Sequence, residues 1–188
     1  MAAAEDRILD AAETVFSSKG YLGGALNDVA VAAGYTRAGL LHYFPNKEAL
    51  LLALLERRDV RLHIWELVVP GMSLADLCDV IENRMAELKS IRMLIQLGHI
   101  VTAEATSPDH PAYEWVHQRE RELRTRITDA VRLSQERGEV DRDWDPEVAA
   151  AVVLGSFEGL ETQWLLDDGV DLDAGVAFIR ALLLPARR

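Results

Sequence analysis

A chain of 188 residues that is 49% apolar and 27% charged has the makeup of a globular protein with a substantial core, which excludes a disordered tail. Its single cysteine, Cys78, excludes an internal disulfide or a thiolate metal cage, and neither a signal peptide nor an apolar run of roughly 18 residues is present, so a cytoplasmic protein away from the membrane is expected. A net charge of −11 argues against nucleic-acid binding by the surface as a whole, yet residues 1–58 carry six basic side chains (Arg7, Lys19, Arg37, Lys47, Arg57, Arg58) against seven acidic ones, so the excess acid lies beyond them.

The pattern is helical throughout, with apolar residues recurring every three or four positions and no run of alternating β-branched residues, so an all-α fold of about nine helices is expected. Ile8, Ala12, Val15 and Phe16 share a face of the first helix, which Lys19-Gly20 stops. A second helix runs from an Asn27 cap to Gly34, and a third from Thr36 to Phe44, closed by Pro45. Asn46 caps a long helix from Lys47 to about Val69, with Leu50, Leu51, Leu54 and Leu55 as its apolar stripe. Ser73 opens a helix to about Lys89, and another covers Ile91 to Ala105. A charged helix follows from about Pro111 to Arg137. Asp145-Pro146 starts one that reaches Leu166, and Asp171 introduces the last, running to Leu184 before Pro185.

Residues 25–48 are the most informative stretch. Two short helices that cross need a small residue at the crossing, a glycine in the turn and an apolar residue facing back from the second helix. Ala30, Gly34 and Leu40 stand at those positions, which is the spacing of a DNA-binding helix-turn-helix whose second helix enters the major groove. Arg37, Ala38, Gly39 and His42 lie away from Leu40 and Phe44 and are expected to meet base edges, with Arg37 able to bond guanine in bidentate fashion. Thr36, Tyr43 and Lys47 are placed for phosphates. Leu41 is open between touching a thymine methyl and packing inward. A small packing unit with no nucleic-acid role is the bland alternative.

In this stretch the chain resembles the tetracycline-repressor (TetR) family. The residues that carry the resemblance are Phe16, Gly20-Tyr21, Asp28-Val29-Ala30, Ala33-Gly34, Leu40, His42-Tyr43-Phe44 and Asn46-Lys47-Glu48. Farther on, Asp145-Pro146-Glu147-Val148-Ala149 and Gly159-Leu160-Glu161-Thr162-Gln163-Trp164-Leu165-Leu166-Asp167 look like that family's penultimate helix. The chain departs from the family in having Gly24-Ala25 and Leu41 where hydroxyl residues are usual. The resemblance implies a DNA-binding domain over residues 1–46 and a ligand-binding and dimerisation domain over 47–188. It implies a homodimer acting on a palindromic, double-stranded operator as a ligand-responsive repressor.

The same resemblance implies that the last two helices pair with those of a second subunit. Ala149, Val152, Val153, Ser156, Gly159, Leu160 and Gln163 form a face of small and apolar residues, and Leu172, Val176, Ile179 and Leu183 belong to the last helix. Ala149, Val152, Ser156, Gly159, Gln163, Ile179 and Leu183 are the expected interface. An internal core is the alternative. Trp65, Met93, Gln96, His99, Trp115 and Phe157 mix aromatic and sulfur-bearing groups with a few polar ones, as an apolar effector pocket would, and as an ordinary core would too.

Enzyme readings fare worse. There is no HExxH pair, no glycine-rich phosphate loop and no nucleophile elbow, so no enzyme activity and no cofactor are expected. His110 and His117 are read as solvated surface rather than a metal pair. A helical adaptor that binds protein instead of DNA is the rival from another class.

Overall fold

A computed structural model describes residues 2–184 of the chain, and every regular element among them is helical. In order these are α1 (Ala2–Gly23), α2 (Leu26–Ala33), α3 (Arg37–Tyr43), α4 (Lys47–Arg61), α5 (Ile64–Leu67), α6 (Leu74–Ser90), α7 (Arg92–Glu104), α8 (Tyr113–Glu136), α9 (Pro146–Leu166) and α10 (Leu172–Leu183). Pro185, expected to close the last helix, lies outside the described residues.

The helix expected from Lys47 to Val69 is two. It ends at Arg61, and His63 adopts a left-handed conformation (φ 45°) before the single turn of α5. Leu62 and Ile64 are both buried. Two positions apart on an unbroken helix they would stand roughly 200° apart, so the reversal at His63 lets both leave water. A second correction concerns α2, whose cap is Ala25 and not Asn27. Close packing sets that start: a Cβ on Gly24 would lie 2.7 Å from the Phe16 ring.

The fold divides into two compact units, the first being the chain up to Leu62 with Ile91–His117, and the second His63–Ser90 with the chain from Gln118 onward. In the first, α1 packs on α2, α4 and α7, and α2 on α3. Their common core holds Ile8, Ala12, Val15 and Phe16 of α1, Val29 and Ala30 of α2, Leu40 of α3, Leu50, Leu51, Leu54 and Leu55 of α4, and Leu97 and Val101 of α7. Each fully buried leucine is worth about 1.5–3 kcal/mol.

Polar side chains tie α7 to the N-terminal helices inside this unit. Arg58 Nε donates to the Leu94 carbonyl at 2.8 Å, and the Ser17 hydroxyl donates to that of Met93 at 3.1 Å. Room for the Arg58 guanidinium comes from Gly98, where a Cβ would sit 2.1 Å from Nη2.

The second unit is built from α5, α6, the greater part of α8, α9 and α10. Leu74 and Leu77, Ile127, Ala130 and Val131, Val140, and Ala150 and Val153 make its core. α10 packs on α6 and α9, and its acid-flanked start and basic end are pinned to α6 through Lys89–Asp173 and Arg180 with Asp79 and Glu82. Cys78 is buried on α6, and that burial pushes its thiol up to about 11. At pH 8 only roughly one thiol in a thousand would then be ionised, and the thiolate is the reactive form. A chromogenic disulfide reagent should therefore label native protein far more slowly than protein in denaturant. Immediate, stoichiometric labelling of the native protein would contradict this packing.

Candidate nucleic-acid interface

The turn between α2 and α3 is made by Gly34, whose left-handed conformation (φ 74°, ψ 31°) ends α2, and by the Tyr35 amide, which donates to the Ala30 carbonyl at 2.8 Å. Thr36 then caps α3, its Oγ1 accepting from the Gly39 amide at 3.1 Å. Because a hydroxyl keeps its own hydrogen while accepting, Thr36 can still donate outward. Leu40 faces back into the core, which leaves Arg37, Ala38 and His42 exposed, Gly39, Leu41 and Tyr43 half-buried.

Aromatic contacts hold this helix from behind. The Tyr35 and Tyr43 rings meet edge to face at 6.0 Å, and His42 meets Tyr43 at 5.5 Å. Arg7 of α1 stands 5.5 Å from the Tyr35 ring centre and donates to the Ala33 carbonyl at 3.0 Å. Neither Arg7 nor Tyr35 was singled out by sequence. Their meeting joins residues 28 positions apart, which no local pattern reports.

Lys47, at the start of α4, lies over the Tyr21 ring at 4.2 Å. Burial holds its ammonium below the ordinary lysine value, against the pull of Glu104. Glu104 itself reaches from the end of α7 to accept from the Tyr21 amide at 2.9 Å. His110 is buried beside it, its Nδ1 accepting from the Ala112 amide at 3.2 Å and its Nε2 3.6 Å from the Glu104 carboxylate. His110 is therefore not solvated surface. His117 instead lies against Tyr113 at 4.0 Å. Among the described residues no group of three or more His, Cys, Asp or Glu side chains could hold a metal ion.

The residues considered for an effector fall in both units. Met93 and Gln96 are exposed on α7, with His99 and Trp115 half-buried in the same unit. In the other, Phe157 packs on the core, and Trp65 carries the Arg126 guanidinium 5.0 Å from its ring centre.

The expected interface residues lie on α9 and α10. Val152 is 59% exposed and Val153 only 1%, so Val153 belongs to the chain's own core and Val152 to the outer face. Gly159 and Gln163 are exposed with it, and Ala149, Ser156, Ile179 and Leu183 are half-buried. Leu172 and Val176 turn inward. The outer face also includes Val148 and Leu166 of α9 and Phe178 and Leu182 of α10, which the sequence reading missed. Open space lies where Gly155 and Gly159 would carry a Cβ.

Comparison with known proteins covers most of the chain. Residues 8–54 match the model for bacterial regulatory proteins of the tetR family, and residues 101–184 match that for the C-terminal part of BetI-type transcriptional repressors. The A-factor receptor protein of Streptomyces griseus is 28% identical over 180 residues, 95% of this chain and 62% of that protein. The HTH-type transcriptional regulator RutR of Escherichia coli K12 is 43% identical over 65 residues, 35% of this chain and 29% of RutR. The chain thus spans less than two thirds of the length of either relative. Among solved structures, the SmeT–triclosan complex superposes with a TM-score of 0.78 at 23% identity, over 98% of this chain and 93% of that one. SmeT is the repressor of the Stenotrophomonas maltophilia multidrug efflux pump SmeDEF.

The junction of α1 with α7 is testable at Gly20. Its conformation (φ 69°, ψ 173°) is in practice open to glycine alone, and a side chain there costs about 1–3 kcal/mol. A Cβ would also lie 2.4 Å from Glu104 Oε1. Gly20→Ala should lower the midpoint of urea unfolding without changing its slope. An unchanged midpoint would mean that the backbone at Gly20 is not held as described.

Proposed function

We propose that this chain is a DNA-binding transcriptional regulator of the tetR family, a cytoplasmic repressor that responds to a largely apolar small molecule. Residues 1–46 serve as the DNA-binding part and 47–188 as the ligand-binding and dimerisation part. The observation that carries this reading is a seven-residue helix anchored inward by Leu40 and presenting Arg37, Ala38 and His42 outward.

Arg37 reads a guanine, and His42, Ala38 and Gly39 approach neighbouring base edges. Thr36, Tyr43 and Lys47 contact phosphates, which fix register without carrying sequence information. Two copies pair through the outer faces of α9 and α10. A closed two-fold pair sets its recognition helices at half-sites about 34–36 Å apart, so the operator is palindromic. Candidate effector contacts are Met93, Gln96, His99 and Trp115 in the first unit and, separately, Trp65 and Phe157 in the second. A bound triclosan in SmeT and the receptor name of the Streptomyces relative support a small-molecule partner. Coupling between effector and operator is reciprocal and typically amounts to about 1–3 kcal/mol.

Footprinting on the gene's own upstream DNA tests the core of this. A protected palindrome is expected, with affinity that falls as salt rises. Arg37→Ala should relax preference at one base pair in each half-site by about 1–3 kcal/mol, and an unaltered preference would remove Arg37 from base reading. Val148→Glu combined with Val152→Glu should yield monomers in sedimentation and abolish operator binding. A dimer that survives both charges would place the subunit interface elsewhere.

A further inference from the structure

Successive residues of a helix turn by about 100°, so the α3 side chains can be placed around its axis from the Leu40 anchor. Going round from that anchor they are Arg37, Leu41, Ala38, His42, Gly39 and Tyr43. The centre of the outward face is Ala38 and His42, with Leu41 and Arg37 to one side. Only Arg37 and His42 on this face can form a side-chain hydrogen bond to a base edge. Leu41 is half-exposed. Among the described residues, the partly buried apolar groups packed on the core of this unit are Leu26, Tyr35, Tyr43, Ala53 and Trp115, and Leu41 is not one of them.

A leucine carried into a major groove meets a surface made of hydrogen-bond donors and acceptors, with one apolar feature, the C5-methyl of thymine. Against a cytosine amine or a purine edge its isobutyl group would strip water and return no bond, which costs free energy. Against the thymine methyl it buries apolar surface on both sides. Ala38, next to it on the face, extends the same apolar patch without blocking the approach. We infer that Leu41, with Ala38 beside it, is a specificity-determining residue that reads a thymine methyl, one in each half-site, next to the base pair that Arg37 reads. The inference rests on the DNA-binding reading above.

The test removes the methyl from the DNA and leaves the protein untouched. Duplexes are selected by the wild-type chain from a random pool, and each thymine in the selected site is replaced in turn by deoxyuridine, which differs only in lacking the methyl. Affinity at fixed salt should fall about fourfold per half-site at one thymine position, the ordinary worth of one buried methyl-sized group. Leu41→Ala should bind thymine and uracil duplexes alike at that position, while Leu41→Met should restore the difference. Specific selection with no methyl-dependent position, or a dependence that survives Leu41→Ala, overturns this inference and leaves the regulator reading standing. Failure of the chain to select any sequence overturns both.

Discussion

A seven-residue helix has no stability of its own, since isolated helices shorter than about 12–15 residues are marginal in water. α3 therefore exists because something outside it holds it, and the chief holder is Leu40, wholly buried among the side chains of α1, α2 and α4. Removing a buried leucine side chain costs about 2–5 kcal/mol, which is most of what so short a segment could gain from its neighbours. The Gly34 turn fixes where Leu40 arrives, and Thr36 and the Tyr35–Tyr43 contact fix the pose of the helix around it. The outward placement of Arg37, Ala38 and His42 follows from that inward placement of one leucine.

The same core has a second consequence. α7 is remote in sequence from α1 to α4 but contributes Leu97 and Val101 to their core, and three polar ties reach it, from Ser17, from Arg58 and from the amide of Tyr21. Two of these depend on glycines, Gly20 and Gly98, that leave room for the charged partner. A shift of α7 would have to break these buried or partly buried hydrogen bonds or drag α1 and α4 along, and a fully buried group left without its partner, as at Arg58, costs about 1–3 kcal/mol. That makes α7 a mechanical part of the first unit.

Where a signal is local, the sequence was readable. Gly34, the Thr36 and Asn46 caps, the Asp145-Pro146 start and the Asp171 cap each act within four residues, and each stands where the pattern puts it. What could not be read depends on distant partners. The break at His63 answers a conflict between two buried positions, Leu62 and Ile64, that helical periodicity alone does not reveal. Ala25 displaces Asn27 as a cap because Gly24 must sit on Phe16. His110 is buried against Tyr21, far away in sequence, and against Glu104 at the end of α7. On α9 an almost continuous apolar run hides which valine faces in, so Val152 and Val153 were indistinguishable until packing separated them.

Charge shows why so much weight falls on one arginine. Of the six basic side chains in residues 1–58, five are engaged inside the first unit: Arg7 with Tyr35 and the Ala33 carbonyl, Lys19 with Asp28, Lys47 over Tyr21, Arg57 with Asp10 and Glu13, and Arg58 with Asp59 and the Leu94 carbonyl. Arg37 is exposed on α3. General attraction to phosphate grows with the number of cations a protein can bring to it, and a near-neutral segment in which Lys19, Arg57 and Arg58 are already ion-paired brings few. Binding by such a surface has to draw on directed contacts, where a bidentate arginine and a well-placed apolar group discriminate between bases. On the proposed reading, the acidic remainder disfavours adhesion to DNA at large and leaves recognition to directed contacts.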